Sequence, residues 1–305
     1  MTTDPYEHLD PSVLNAMDDV ELMVKSVVNG YLSGIHKSLY QGSGLEFIQY
    51  RNYTQGDDLK FIDWKAAART DKIYTKVFQE ETNMDCHILL DCSASMEYGS
   101  KSNTNENTIS KLQYMKIAAS CLTYFIYKQG DKIGCTGFSD DIDHHIDASN
   151  KKEHLENILA NISNSTAKGK GLSDKIEDFI ASSLHNRGIV IMFSDCLHEE
   201  NRVIDLLKLL SHSNYECILI NLFHQDEVDF PFAGSKVFID SETEDFIVTS
   251  PELIKEDYLK EFKTFQENIR SQCIQHKIEP LTISTKLNLG EVFNQYIRFR
   301  NGIYK

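Results

Sequence analysis

Asp91, Ser93 and Ser95 stand at alternate positions in the stretch Cys86-His87-Ile88-Leu89-Leu90-Asp91-Cys92-Ser93-Ala94-Ser95-Met96, where an apolar run ends in a carboxylate and two hydroxyls. Alternate side chains on an extended backbone share a side, so these three can offer oxygen atoms to one point. An oxygen-only donor set suits a hard cation such as Mg²⁺ and does not suit zinc, which prefers nitrogen and sulfur. The same two hydroxyls could instead cap the turn that follows. A second apolar run, Ile189-Val190-Ile191-Met192-Phe193-Ser194-Asp195, ends alike. Two strands finishing this way at one sheet edge supply the geometry a shared cation needs. Asp91, Ser93, Ser95 and Asp195 are therefore the candidate metal ligands.

The elements that must position them follow from the hydrophobic pattern. Buried strands are predicted at 87–91, 132–138, 189–194 and 216–223, with helices at about 108–128, 151–162, 173–184 and 199–211. Strands without polar alternation, separated by helices, give an α/β fold with a doubly wound, mostly parallel sheet covered on both faces. Ligands bind such sheets at the carboxyl ends of the strands. A hairpin is expected from Lys236–Asp240 and Phe246–Val248, then a helix of about twenty residues from Glu252, a strand at Leu281–Ser284 and a closing helix from Leu289. Two units are expected: residues 1–84, an amino-terminal helix and small β-rich element, and residues 85–305, the doubly wound domain.

Composition limits the function. With 305 residues, 41% of them hydrophobic, the chain can bury a real core. A formal charge of −15 argues against a nucleic-acid backbone as partner, since such binders need a basic face. No apolar stretch approaches the roughly 18 residues of a membrane span, and Met1-Thr2-Thr3-Asp4-Pro5 has neither the basic nor the apolar part of a signal peptide. The seven cysteines are scattered without metal-ligand spacing and read as small buried side chains in a reducing compartment, so a cytoplasmic protein is expected.

Other residues compete for attention. Asp140-Asp141-Ile142-Asp143-His144-His145-Ile146-Asp147 is rich in ligand types but follows a strand and reads as a solvated turn and edge strand. Cys92 and Cys196 each adjoin a candidate aspartate, which raises a thiol's pKa and discourages reactivity. Arg51, Asp57, Asp63 and Arg69 form either an ion-pair network pinning the amino-terminal element or a recognition surface, with Trp64 as an apolar anchor. For enzyme chemistry, Ser93 has no convincing histidine close in sequence, though His87, His185 or His198 could approach it in space, and neither a Gly-x-Ser-x-Gly elbow nor a phosphate-binding loop occurs.

The Asp-x-Ser-x-Ser run with the later aspartate resembles a von Willebrand factor A domain and its metal-ion-dependent adhesion site. By that resemblance Ser93 and Ser95 bind Mg²⁺ directly, and Asp91 and Asp195 hold it largely through water. Gly44, Glu46-Phe47, Arg51, Tyr53, Gly56-Asp57, Ile62-Asp63-Trp64, Ala68-Arg69 and Glu80-Glu81 resemble the signature of the bacterial family called domain of unknown function fifty-eight. His224-Gln225-Asp226-Glu227, Phe230-Pro231-Phe232, Asp240-Ser241-Glu242-Thr243 and Tyr296-Ile297-Arg298 agree with it. The resemblance implies a partner of MoxR-type AAA+ ATPases that acts in maturing other protein complexes. One departure stands out: a glycine, Gly171, falls where the adhesion site's threonine belongs, and Lys168 and Lys170 are close enough in sequence to neutralise Asp91 and Asp195 without a cation.

The function expected is a non-enzymatic protein-binding module with a divalent-cation site, an adaptor or chaperone-like partner of a MoxR-type AAA+ ATPase or of its client. The alternatives are a metal-assisted hydrolase or phosphoryl-transfer enzyme and a metal-free scaffold. Mg²⁺ should bind weakly in the isolated protein and more tightly once a partner carboxylate completes the shell. Asp91→Ala is expected to abolish partner capture while leaving the fold intact.

Overall fold

The computed structural model describes residues 85–99, 109–184, 187–197, 202–213, 215–243 and 245–300, together with 23–25, 27–29, 47–52, 62, 64, 69 and 73–78. Its strands are β1 (Phe47–Asn52), β2 (Tyr74–Phe78), β3 (Asp85–Asp91), β4 (Lys132–Phe138), β5 (Ile142–Ser149), β6 (Gly188–Ser194), β7 (Tyr215–Phe223), β8 (Lys236–Ile239), β9 (Phe246–Thr249) and β10 (Glu279–Ser284). The helices are α1 (Lys111–Lys128), α2 (Lys152–Asn164), α3 (Asp174–Ser183), α4 (Arg202–His212), α5 (Gln225–Asp229), α6 (Pro251–Gln275) and α7 (Leu289–Arg300). A short 3-10 turn, Ala94–Glu97, follows β3.

Six strands form the central sheet in the order β10-β7-β6-β3-β4-β5, all parallel except β5, which pairs antiparallel with β4 at the edge. This is the doubly wound, mostly parallel α/β fold expected. Side chains of β3 alternate between two cores. Cys86, Ile88 and Leu90 join residues of α1, α2 and α7, while Leu89 joins residues of α3, α4 and α6. Met23, Val24, Val27 and Val28 lie in the first of these cores, so the amino-terminal helical residues pack on the sheet. The antiparallel pair β1–β2 and the hairpin β8–β9 are separate two-stranded sheets.

Because β4 and β6 flank β3, the chain leaves β3 in one direction and returns on its other side. Crevices at such a switch point open at the carboxyl ends of the strands. Asp91 and Asp195 therefore meet at one edge, as their two runs require.

His87 is a polar intrusion in this sheet. It is buried on β3, with Nε2 2.7 Å from Thr136 Oγ1, which in turn lies 2.7 Å from His145 Nδ1; His145 Nε2 reaches Asp147 at 3.2 Å. Burial first, and the neighbouring His145 second, lower the His87 pKa from 6.5 to about 3. A histidine lowered in the folded state contributes stability that is present above its unfolded pKa and lost as pH falls toward the folded value. Between pH 6.5 and 5 the loss should be about 2 kcal/mol. Urea midpoints at the two pH values check this: the wild type should drop by that amount and His87→Gln by clearly less.

Candidate functional site

Strands β3 and β6 run in parallel with Leu90 opposite Phe193, which sets Asp91 beside Ser194. Ser194 Oγ donates to Asp91 Oδ2 at 2.6 Å, and the backbone N–H of Ser93 donates to Asp91 Oδ1 at 3.0 Å. The carboxylate thus clasps the loop after its own strand to the end of the next one. Asp91, Ser93 and Asp195 are fully buried, and Ser95 is half-buried. A neighbouring loop supports the turn from one side: Ala94 N donates to Gly169 O at 3.0 Å and Lys168 N to Cys92 O at 2.9 Å.

The capping alternative for the serines does not hold. Ser93 occupies the N-cap position of the 3-10 turn, yet its side chain makes no capping hydrogen bond. Its hydroxyl instead lies 3.1 Å from that of Ser95. Adjacent oxygens around an octahedral Mg²⁺ at 2.0–2.1 Å are about 3 Å apart, so the pair is spaced as two neighbouring ligands would be. With the Asp91 carboxylate alongside, the donor set is all oxygen, and these residues fit a hard cation.

Asp195 is placed differently from the expectation. The buried ammonium of Lys111 donates to Asp195 Oδ2 at 2.7 Å and to Glu227 Oε1 at 3.0 Å, while Leu197 N donates to Asp195 Oδ1 at 3.2 Å. Burial alone would lower the Lys111 pKa, but the charges of Asp195 and Glu227 outweigh it and hold it above the usual lysine value. Glu227 is raised, chiefly by burial, against the pull of Lys111. Its other oxygen accepts from His224 N at 2.7 Å at the start of α5. Lys111 therefore joins the ends of β6 and β7 to the start of α1.

Lys168, proposed from the sequence for that neutralising role, turns to Asp143 at 2.8 Å. The backbone of Lys170 is held by Asp140 Oδ1 at 2.7 Å. Gly171 is buried with φ +82° and Gly169 has φ +69°, where a β-branched threonine is strained; at Gly169 a Cβ would also collide with the Asp140 carboxylate. Restoring a threonine by Gly171→Thr is thus not a clean substitution.

The remaining candidates sort by placement. All seven cysteines are buried and none forms a disulfide. Cys92 is pushed up to about 12 by burial and then by Asp91, and Cys196 is raised well above its ordinary value by burial and then by Asp195. Asp140–Asp147 forms the expected turn and edge strand, and no cluster of three histidine, cysteine or acidic side chains suited to a metal occurs among the described residues. Trp64 is 63% exposed and does not serve as an apolar anchor. Arg69 is also exposed, while Asp57, Asp63 and the side chain of Arg51 lie outside the described residues. Of the histidines considered for enzyme chemistry, His87 is engaged within the sheet, and His185 and His198 lie outside the described residues.

Residues 49–268, most of the chain, match the family model described as "Protein of unknown function DUF58". An uncharacterized protein of Mycobacterium tuberculosis, Rv1480, is 24% identical over 237 residues, 77% of this chain and 72% of its own length. Among solved structures, the conserved hypothetical protein BatB from Bacteroides thetaiotaomicron aligns over 71% of this chain and 98% of its own, at 13% identity and a TM-score of 0.44. An aerotolerance-related membrane protein from Bacteroides fragilis aligns over 71% and 99%, at 17% identity and a TM-score of 0.43.

Proposed function

The chain belongs to the DUF58 family, and from this premise and the geometry of the β3–β6 edge we propose that it is a non-enzymatic protein-binding module of von Willebrand factor A type. Its binding site is the carboxyl edge of the sheet. The observation that carries this reading is the pair of uncommitted hydroxyls, Ser93 and Ser95, held 3.1 Å apart beside a fully buried Asp91. Asp91 fixes the loop through Ser93 N and Ser194 Oγ, so its role is to orient the hydroxyls as well as to supply charge. Ser93, Ser95, Asp91 and Asp195 would hold Mg²⁺. Bound there, the ion supplies a coordination position for a partner's carboxylate.

Lys111 tempers this site. By pairing with Asp195 it removes part of the negative charge that would draw a dication, so binding without a partner should be weak. Catalysis is not part of the proposal: no histidine hydrogen-bonds Ser93, Ser95 or Ser194 among the described residues, and such a base is what a serine nucleophile requires. Among the described residues no helix is long and apolar enough to cross a membrane.

The partner implied by family kinship is a MoxR-type AAA+ ATPase or its client. The test is capture of that ATPase, from the same organism, by immobilised wild type and by Asp91→Asn, both in Mg²⁺. Because the ATPase needs Mg²⁺ for itself, the variant and not a chelator is the control. Capture by the wild type and its loss in the variant support the reading; equal capture by both contradicts it.

A further inference from the structure

Hairpin β8–β9 pairs Val237 with Val248 and Ile239 with Phe246. Directly opposed residues of an antiparallel pair share a face, so these four side chains form one apolar surface. They are 56%, 61%, 66% and 67% exposed for Val237, Val248, Ile239 and Phe246. On the opposite face only Phe238 is seated, stacking on Phe230 at 5.9 Å and meeting Phe232 edge-on at 5.4 Å, while its cross-strand partner Ile247 is 69% exposed. Phe230 in turn stacks on Tyr258, whose hydroxyl donates to Glu227 O at 3.0 Å. The hairpin is therefore built onto the residue that holds Lys111. A two-stranded sheet is marginal by itself, and this one is held to the domain through Phe238.

The turn sequence is acidic. Asp240 accepts from Glu242 N at 2.8 Å and Thr243 N at 2.9 Å, and its own N–H donates to Asp245 O at 2.8 Å. Those backbone donors hold the Asp240 carboxyl below its usual range. Residues 240–245 include Asp240, Glu242, Glu244 and Asp245 and no basic residue.

We infer that the exposed face of hairpin β8–β9 docks a partner polypeptide whose contact segment is apolar and flanked by lysine or arginine. This rests on the reading of the sheet edge as a protein-binding site and names the chemistry of the partner beside it. Exposed apolar sheet faces of this kind mark interaction sites. The acidic turn selects the sign of the flank, and it disfavours a second copy of this chain, which would bring its own acidic turn and a net charge of −15.

The test uses a labelled synthetic peptide of alternating valine and threonine with two lysines at one end, and a counterpart with two glutamates. Binding to the full chain is followed by fluorescence anisotropy. The lysine peptide should bind, and the glutamate peptide should bind at least roughly tenfold more weakly. The double variant Ile239→Thr, Phe246→Thr should lose binding with unchanged melting, since both side chains face solvent. Asp91→Asn should leave peptide binding intact, so a failed cation site and a failed hairpin give different results. No binding of the lysine peptide, equal binding of both peptides, or unchanged binding in the double variant overturns the inference. So does a concentration-dependent dimer in sedimentation that the double variant abolishes, which would assign the face to a second copy.

Discussion

Lys111→Met should lower the unfolding free energy by about 3–5 kcal/mol, because it leaves Asp195 and Glu227 sharing a dry site without their cation. Methionine keeps the length and apolar stem of lysine, so the loss reports the charge and not a cavity. The deficit should depend on pH in a definite direction. The Glu227 carboxyl is already raised above the usual carboxylate range, chiefly by burial, with Lys111 pulling it back. A raised carboxyl contributes stability that is complete below its unfolded pKa and lost as pH rises through the folded one. Removing Lys111 raises it further, so the variant should approach the wild type as pH falls toward 4.5 and diverge above it. Urea denaturation of both proteins across that range is the check.

Asp91→Ala should also cost stability, about 2–5 kcal/mol, contrary to the expectation that it leaves the fold intact. The sequence shows a carboxylate at a strand end but not that both its oxygens are used. Ser194 Oγ and Ser93 N donate to it from fully buried positions, and alanine strands both. Asp91→Asn keeps an acceptor for one donor and can give its amide to the Ser194 hydroxyl, so it should recover most of the loss while removing the charge. Thermal melting of the two variants separates the clasp from the charge, and only the asparagine form is suited to binding assays.

These two residues show where the sequence was legible. Asp91, Ser93, Ser95, Ser194 and Asp195 could be read because each follows a buried apolar run, and the parallel pairing of β3 with β6 then had to bring them together. The same runs gave the central sheet and its covering helices. Lys111 escaped because its partners lie 84 and 116 residues away. A local signal existed nonetheless. Ser110 and Gln113 form a capping box, which puts Lys111 at the first helical position with no acidic residue in that turn, where the helix dipole repels a cation. A lysine there calls for a carboxylate from elsewhere in the fold. The hairpin was legible as pairing but not as surface: Val237–Ile239 and Phe246–Val248 are continuous apolar runs, a pattern that reads as buried, yet only Phe238 is seated and the other five side chains are exposed. Trp64 misled for the same reason, since a large aromatic in a mixed segment reads as an anchor.

The central claim is that the Ser93 and Ser95 hydroxyls are ligands. They bond only to each other among the described residues, so removing both leaves no buried partner stranded, and the double variant should fold as the wild type does. Titration calorimetry of Mg²⁺ into the wild type and into Ser93→Ala, Ser95→Ala is the most direct measurement. A saturable heat in the wild type, absent from an equally stable double variant, is the predicted result; a flat wild-type titration, or the same binding in both proteins, would contradict the account.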